Sequence, residues 1–529
     1  MRYGPEAATI LLLAAVYGPS AHAEEEATSG LESPVQEDRV EYGTADRERF
    51  HVVGLGRSGF LVVYAEESVD QGRTWKIHLH DADFEVRWTG VHARQRKQEL
   101  LAHDIDSSSV YLLLVRKNKF ELLEIDRDGG GLDTIRGTLP SKFTPVQFKV
   151  HRELAWLGGS VKKGAHVLAI SLDRDDLRQY PIDLEGQSTV KGIRTDERQQ
   201  HVHVSIHNTL EKNNTVFVFD YTAEGEEIAR YHLESDDERW ELTDAQLHHV
   251  DTGGTIALGT YMSSAKRTAS ELLFDQKRGG AQGIFFAQLD ADGNAGFTYH
   301  GFNDFENFFA YLPEKKRSKR EKKIEEKQEA GSEPRLRSAV LLHDPISRNG
   351  AHVVIGEVHH PVYHTTPGSY NASTGTWSGG STSYLGETYT HAIVVGLDGN
   401  GDKLWDHCFK MDKRYSSSGR LLSDALRERV AATFEDDTLS LLYVSGEVIK
   451  SLVIAAGVAA DEIALTKIES GDRSSDVYDA AANVAYWYGS SYLMWGHQVF
   501  TRDRPLKKRQ RTYFVSRVGF EPPGSAAPD

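Results

Sequence analysis

An all-β chain is what this sequence predicts, and three patterns predict it. Eight times a short apolar run meets a brief polar turn and then a second apolar run, and further strand-like segments follow each such hairpin. The turns are Gly56-Arg57-Ser58-Gly59, Asp106-Ser107-Ser108-Ser109, Arg152-Glu153, Asp196-Glu197-Arg198, Asp251-Thr252-Gly253-Gly254, Arg348-Asn349-Gly350, Asp436-Asp437 and Gly489-Ser490-Ser491. A second set of Asp- and Gly-rich turns follows the third run of each unit, as in Asp126-Arg127-Asp128-Gly129, Asp290-Ala291-Asp292-Gly293 and Asp398-Gly399-Asn400-Gly401. Connections this short require positive φ or an Asx turn, which Gly and Asp supply. A small antiparallel sheet repeated around a circle is a β-propeller, here of eight four-stranded blades, with seven as the alternative should the seventh unit, the least regular, not be a separate sheet.

Taken in order, blade 1 is expected from strands at 50–55, 60–65, 75–80 and 84–88. The third strands of blades 2 to 6 are expected at 120–125, 166–172, 215–221, 283–289 and 391–397. Blade 7 follows with 438–445 and 462–468. Blade 8 shows three strands, 484–488, 493–500 and 512–518, and the spare strand 39–42 at the start is expected to close the ring by pairing with it. Closure removes the open edge that a linear array would expose.

The 529 residues carry a net charge of −17, which argues against a phosphate-tracking nucleic-acid binder. Residues 1–23 read as a secretory signal: Arg2, the apolar stretch 10–17, and Ala21-His22-Ala23 as a small-x-small cleavage site ending near Ala23. No later stretch is apolar for the ~18 residues of a membrane span. Secretion or a periplasmic location is therefore expected. Cys408 is the single cysteine, so no intrachain disulfide is possible. Residues 24–38 are expected to be a disordered leader, 39–520 the propeller, and 521–529 a disordered tail.

Long insertions distinguish one side of the disc. In propeller wiring the first-to-second and third-to-fourth turns share one face, and the second-to-third and blade-to-blade connections share the other. The excursions at 262–282, 301–337, 358–390, 410–430 and 501–511 are all of the latter kind, so function is expected on that face. The charged insertion at 313–334, apolar only at Ile324, reads as a solvated helical or disordered spacer. The long aromatic loop at 358–390 carries Tyr363, Tyr370, Trp377, Tyr384 and Tyr389 among Ser, Thr and Gly. This composition suits either a binding surface or an extended hairpin whose aromatics pair across strands. Glu357, His359 and His364 at its entrance are the densest histidine group and complete the candidate ligand-binding set. They lack a recognised metal spacing, so no metal and no cofactor is assigned. His201, His203, His248 and His249 read as ordinary sheet residues.

Two motif matches fail on context. Gly54-Leu55-Gly56-Arg57-Ser58-Gly59 is followed by a strand and not a helix, so no helix N-terminus awaits a pyrophosphate. Asp398, Asn400 and Asp402 imitate the start of a calcium loop, yet Phe409 stands where the bidentate carboxylate belongs. Ser68-Val69-Asp70-Gln71-Gly72-Arg73-Thr74-Trp75 resembles the Asp-box of sialidase-like propellers, where the box is structural. The stretch from Val395 to Trp405 resembles one repeat of the quinoprotein-type propellers, whose later tryptophan docks between blades. As a repeat of four-stranded blades the chain resembles the quinoprotein-like, WD40-like and Asp-box-like propellers. That resemblance implies the fold and no catalytic residue set; the blade-repeat family includes non-enzymatic periplasmic assembly factors, the implication preferred here. The expectation is a non-enzymatic binding or scaffold module for a protein or glycan. The competing class is a hydrolase or lyase near the central funnel, with Glu357, His359 and His364 as acid, base or metal ligand.

Overall fold

The computed structural model describes residues 33–43, 50–68, 72–162, 164–173, 176–211, 213–250, 254–264, 280–290, 293–331, 336–371, 373–416, 428–435, 437–459, 463–470, 476–501 and 509–520. The expected signal segment, most of the leader and the tail lie outside them, as does Asp70 of the Asp-box match.

Among the described residues the chain forms eight antiparallel blades and one small two-stranded hairpin, a β-propeller. Blade 1 comprises Phe50–Gly54, Phe60–Ser68, Gly72–His80 and Val86–Ala93; blade 2 Glu99–Ile105, Ser109–Arg116, Lys119–Asp126 and Leu132–Thr138. Blade 3 comprises Phe143–His151, Leu154–Val161, Gly164–Ser171 and Leu177–Pro181; blade 4 Gln187–Asp196, His201–Leu210, Asn213–Thr222 and Glu227–Leu233. Blade 5 is Trp240–His249, Thr255–Ser263, Gly283–Leu289 and Ala295–Gly301. In blade 6 the first position is split between Ala339–Leu342 and Ile346–Arg348, both paired to Ala351–Thr366, and Ser381–Leu397 and Lys403–Ser416 follow. Blade 7 is Ala431–Glu435, Thr438–Ser445 and Val448–Ala455, with a fourth position split between Val458–Ala459 and Ala464–Lys467. That broken outer strand makes its sequence the least regular, yet it is a separate sheet. Blade 8 is Asp476–Tyr488, Ser491–Thr501 and Arg509–Gly519, and Val35–Gly43 pairs with the last of these as its fourth strand.

Middle strands read as unbroken apolar runs because blades cover both of their faces: Ser109 to Leu114 is buried throughout. Outer strands alternate, as Leu132–Thr138 does. The first and last blades share one cluster of Val52, Phe60 and Phe84 with Trp487, Trp495 and Tyr513, and Trp487 Nε1 donates to the Gly59 carbonyl at 2.8 Å.

Neighbouring blades are keyed by a repeated device. Trp88, on the outer strand of blade 1, covers Gly130 in the outer hairpin of blade 2, where φ is +71° and a Cβ would fall 2.2 Å from the indole. Trp405 covers Gly457 of blade 7 in the same way, so the tryptophan of the quinoprotein-like repeat does dock between blades. Tyr180 on Gly225 and Tyr231 on Gly293 follow the same plan. Positive φ excludes most side chains, and the bare glycine is what admits the ring.

The short turns join first to second and third to fourth strands, and Asp side chains knit several of them. Asp398 Oδ1 accepts from the amides of Asn400 and Asp402 at 2.9 Å each, so the calcium-loop imitation is an Asx turn. The Gly56–Ser58 segment is a 3-10 turn between strands. The connection from blade 5 to blade 6 carries helix α1, Glu314–Glu329, the helical form of the charged spacer. None of its residues is buried; Ile324 packs against the core and Arg320 lies over Phe309 at 5.1 Å. Before it, Phe302, Phe305, Phe308 and Phe309 are buried between blades, and Asp406 accepts the amides of Glu306 and Asn307. No helix among the described residues is long and apolar enough to cross a membrane.

Candidate functional site

The aromatic segment between 358 and 390 is strand, not irregular loop, for most of its length. Ala351–Thr366 and Ser381–Leu397 run on beyond the blade as a paired arm, capped by a hairpin of Ser369–Asn371 and Thr376–Ser378. Of the two readings that its composition allowed, the extended hairpin is therefore present. Thr, Val and Tyr favour a pleated ladder, and the Gly and Ser residues gather at its tip. Register sets Tyr363 opposite Tyr384, with centroids 5.7 Å apart, and Tyr370 opposite Trp377 at 5.6 Å. Trp377 is 73% exposed, Tyr370 54% and Tyr384 44%. His364 is also exposed on this arm, opposite Ser383.

At the base of the arm the chemistry is buried. Glu357 is fully covered, and its Oε1 accepts from the amides of Arg429 and Val430 at 2.6 and 2.7 Å and meets His343 Nε2 at 2.9 Å. Burial alone lowers the His343 pKa, but Glu428 and Glu357 outweigh it and hold the imidazole above its ordinary value. His359, two residues further, turns to another partner: its Nδ1 lies 3.0 Å from Glu387 Oε2, and its ring stacks on buried Tyr389. Glu387 in turn accepts from the Tyr384 hydroxyl at 2.7 Å. A register shift between Val358 and His359 separates the two neighbourhoods.

Glu357, His359 and His364 therefore do not converge on one point. His364 lies five residue steps along the strand from His359, roughly 17 Å at the usual rise. The residues that do gather around Glu357 come from distant sequence. Arg429 lies 4.0 Å over the Tyr415 ring, and half-buried Lys413 is 5.1 Å from the same ring. Burial, reinforced by Arg429, draws the Lys413 pKa down to about 8. Nothing in the sequence marked His343, Arg429 or Lys413, since no periodicity or motif connects them; an arginine and a lysine beside apolar strand runs were the sole local signal. Among the described residues, the histidines and carboxylates that do approach metal-ligand spacing are His201, His203 and Asp220 of blade 4.

No family model matches the sequence, and no curated protein does. The chain is similar to solved structures that include a polysaccharide lyase, Uly1, at 8% identity with TM-score 0.39 over 92% of this chain and 100% of that one. The Dos1 propeller is similar at 8% identity and TM-score 0.38, over 76% of each chain. Prolyl oligopeptidase B from Galerina marginata is similar at 8% identity and TM-score 0.37, over 86% of this chain and 56% of that one. Likeness at this level carries nothing about chemistry, and the propeller rests on the strand pairing itself.

Proposed function

We propose that the protein is a secreted or periplasmic β-propeller that binds a protein or glycan partner through the face bearing the aromatic arm, without turning it over. The observation that supports this reading is the arm's tip, where Trp377 and Tyr370 pair ring to ring and stay exposed. Rigid aromatics held on paired strands lose little entropy when they are covered, which is what a recognition surface needs. The charged helix α1 belongs to a connection of the same face and sets its electrostatics. The test is capture from a periplasmic or culture fraction, alongside binding to a panel of soluble polysaccharides, with the full chain and with W377A/Y370A. Loss of a specific partner or polysaccharide in the variant supports the reading, and full retention sinks it.

A second reading, a hydrolase or lyase in the central funnel, draws on Lys413, whose lowered pKa suits a base beside Arg429 and Tyr415. Glu357 serves it poorly as acid or base, because one carboxylate oxygen already accepts two main-chain amides. Turnover of any panel polysaccharide by the parent chain and not by K413M favours this second reading.

A further inference from the structure

Blades 4 and 5 meet, at the strand ends that carry their short turns, in a group of histidines and carboxylates. His201 and His203 are two residues apart on one strand and so face the same side. Strand register places Asp220 opposite His203 and Asp196 opposite His201. His249, the last residue of the first strand of blade 5, completes the group: its ring centroid is 5.6 Å from that of His203, and its Nε2 is 3.7 Å from Asp196 Oδ2. Asp220 Oδ2 lies 3.2 Å from His201 Nδ1, and Asp220 Oδ1 lies 3.5 Å from His203 Nε2.

Three atoms in this group have no hydrogen-bond partner although they are buried: His203 Nε2, Asp220 Oδ1 and His249 Nε2. His203 is 4% exposed and Asp220 5%. Each such orphan costs about 1–3 kcal/mol unless a group from outside the chain answers it. The other ring nitrogens are held in place. Thr255 Oγ1 meets His249 Nδ1 at 2.8 Å, and the Leu247 backbone hydrogen-bonds the His203 ring. Asp196 Oδ1 accepts from the amides of Arg198 and Gln199, which leaves Oδ2 turned toward His249. Outer-shell contacts of this kind fix the tautomer and aim the lone pairs of imidazoles that ligate metals.

We propose that His201, His203 and Asp220, completed by His249 of blade 5, bind one divalent transition-metal ion of the zinc type and thereby tie blade 4 to blade 5. Imidazole and carboxylate donors without thiolate suit such an ion, where calcium and magnesium take oxygen alone. Zinc bonds of about 2.0–2.1 Å at tetrahedral angles put neighbouring ligand atoms roughly 3.3 Å apart. The spacings of 3.2 and 3.5 Å around Asp220 are already near that value.

The test uses the full chain after treatment with a chelator. Titration with Zn2+ by calorimetry is expected to show one ion per chain and a rise in Tm of several degrees, since the ion binds the folded state. Co2+ is expected to give the visible absorption of a tetrahedral nitrogen and oxygen site. His203→Ala and His249→Gln should each weaken Zn2+ at least tenfold and remove the Tm shift. The proposal is overturned if the parent chain takes up neither ion, a result that stands even where the variants fold poorly. It is equally overturned if both variants bind with the parent's stoichiometry and affinity, because the ion then sits elsewhere among the 23 histidines.

Discussion

Two buried histidine–carboxylate groups of this propeller use the same residue types and do opposite things. Between blades 6 and 7, Glu357 Oε1 is met by two main-chain amides and by a His343 whose pKa is raised, so the carboxylate welds one blade to the start of the next. Between blades 4 and 5, no amide answers Asp220 Oδ1; an imidazole nitrogen faces it instead, and burial draws the His203 pKa down to about 4, which keeps that ring neutral. Donors pointed at an anion make a structural joint. Lone pairs pointed at a carboxylate make a place suited to a cation. Amide count therefore decides the role.

Removing Glu357 gives the largest effect by which this contrast can be broken. E357A takes away the acceptor of the His343 ring and leaves two buried amides unanswered, and should cost about 3–5 kcal/mol in urea unfolding. E357Q keeps an acceptor oxygen and should cost less. A loss below about 1 kcal/mol for E357A denies the joint its role.

His391 is a third case, neither joint nor ligand. Its ring stacks on Tyr311 at 4.2 Å and meets Phe308 edge-on, Thr390 Oγ1 meets its Nδ1, and burial depresses its pKa to about 3. The unfolded chain takes up a proton near pH 6.5 that the native ring refuses. Stability is thus fully present above pH 6.5 and falls by roughly 1.4 kcal/mol per pH unit from this group as pH drops toward 3. His391→Phe should flatten that slope, read from urea midpoints between pH 6.5 and 4.5; parallel slopes in the two chains contradict the assignment. The smaller partner of this experiment is D220N, its stability measured with chelator present and its Zn2+ response measured after the chelator is removed. Burial already disfavours the Asp220 charge, so the change should move stability by less than about 1 kcal/mol while abolishing the Zn2+ response.

What the sequence disclosed follows the same division between local and distant contacts. Turns such as Asp398 to Asp402 were legible because an Asx turn involves only neighbouring residues, and the docking of Trp405 was legible through the resemblance to the quinoprotein-type repeat, since the glycine it covers lies on the next blade. The spare N-terminal strand was legible because blade 8 lacked its fourth. Glu357, His359 and His364 stand together in sequence and read as one site, but a register shift and the length of the arm disperse them. His201, His203 and His249 read as ordinary sheet residues; their convergence with Asp220 depends on hairpin register and on how two blades pack, neither of which leaves a local trace. The segment 358–390 looked like loop because its tip composition outweighed the Thr and Tyr alternation of its stems.

The smallest expected effect on stability concerns the arm's tip. Among the described residues Trp377 pairs with Tyr370, and it faces solvent over most of its surface. Truncating an exposed ring removes little buried area, so W377A should shift the unfolding free energy by less than about 0.5 kcal/mol. A residue with so small a part in the fold, yet large and apolar, is kept in water at the end of a paired arm. Should W377A destabilise the protein by more than about 1 kcal/mol, the ring is a structural element of the arm, and the case for a recognition surface moves to Tyr384 and the base of the hairpin.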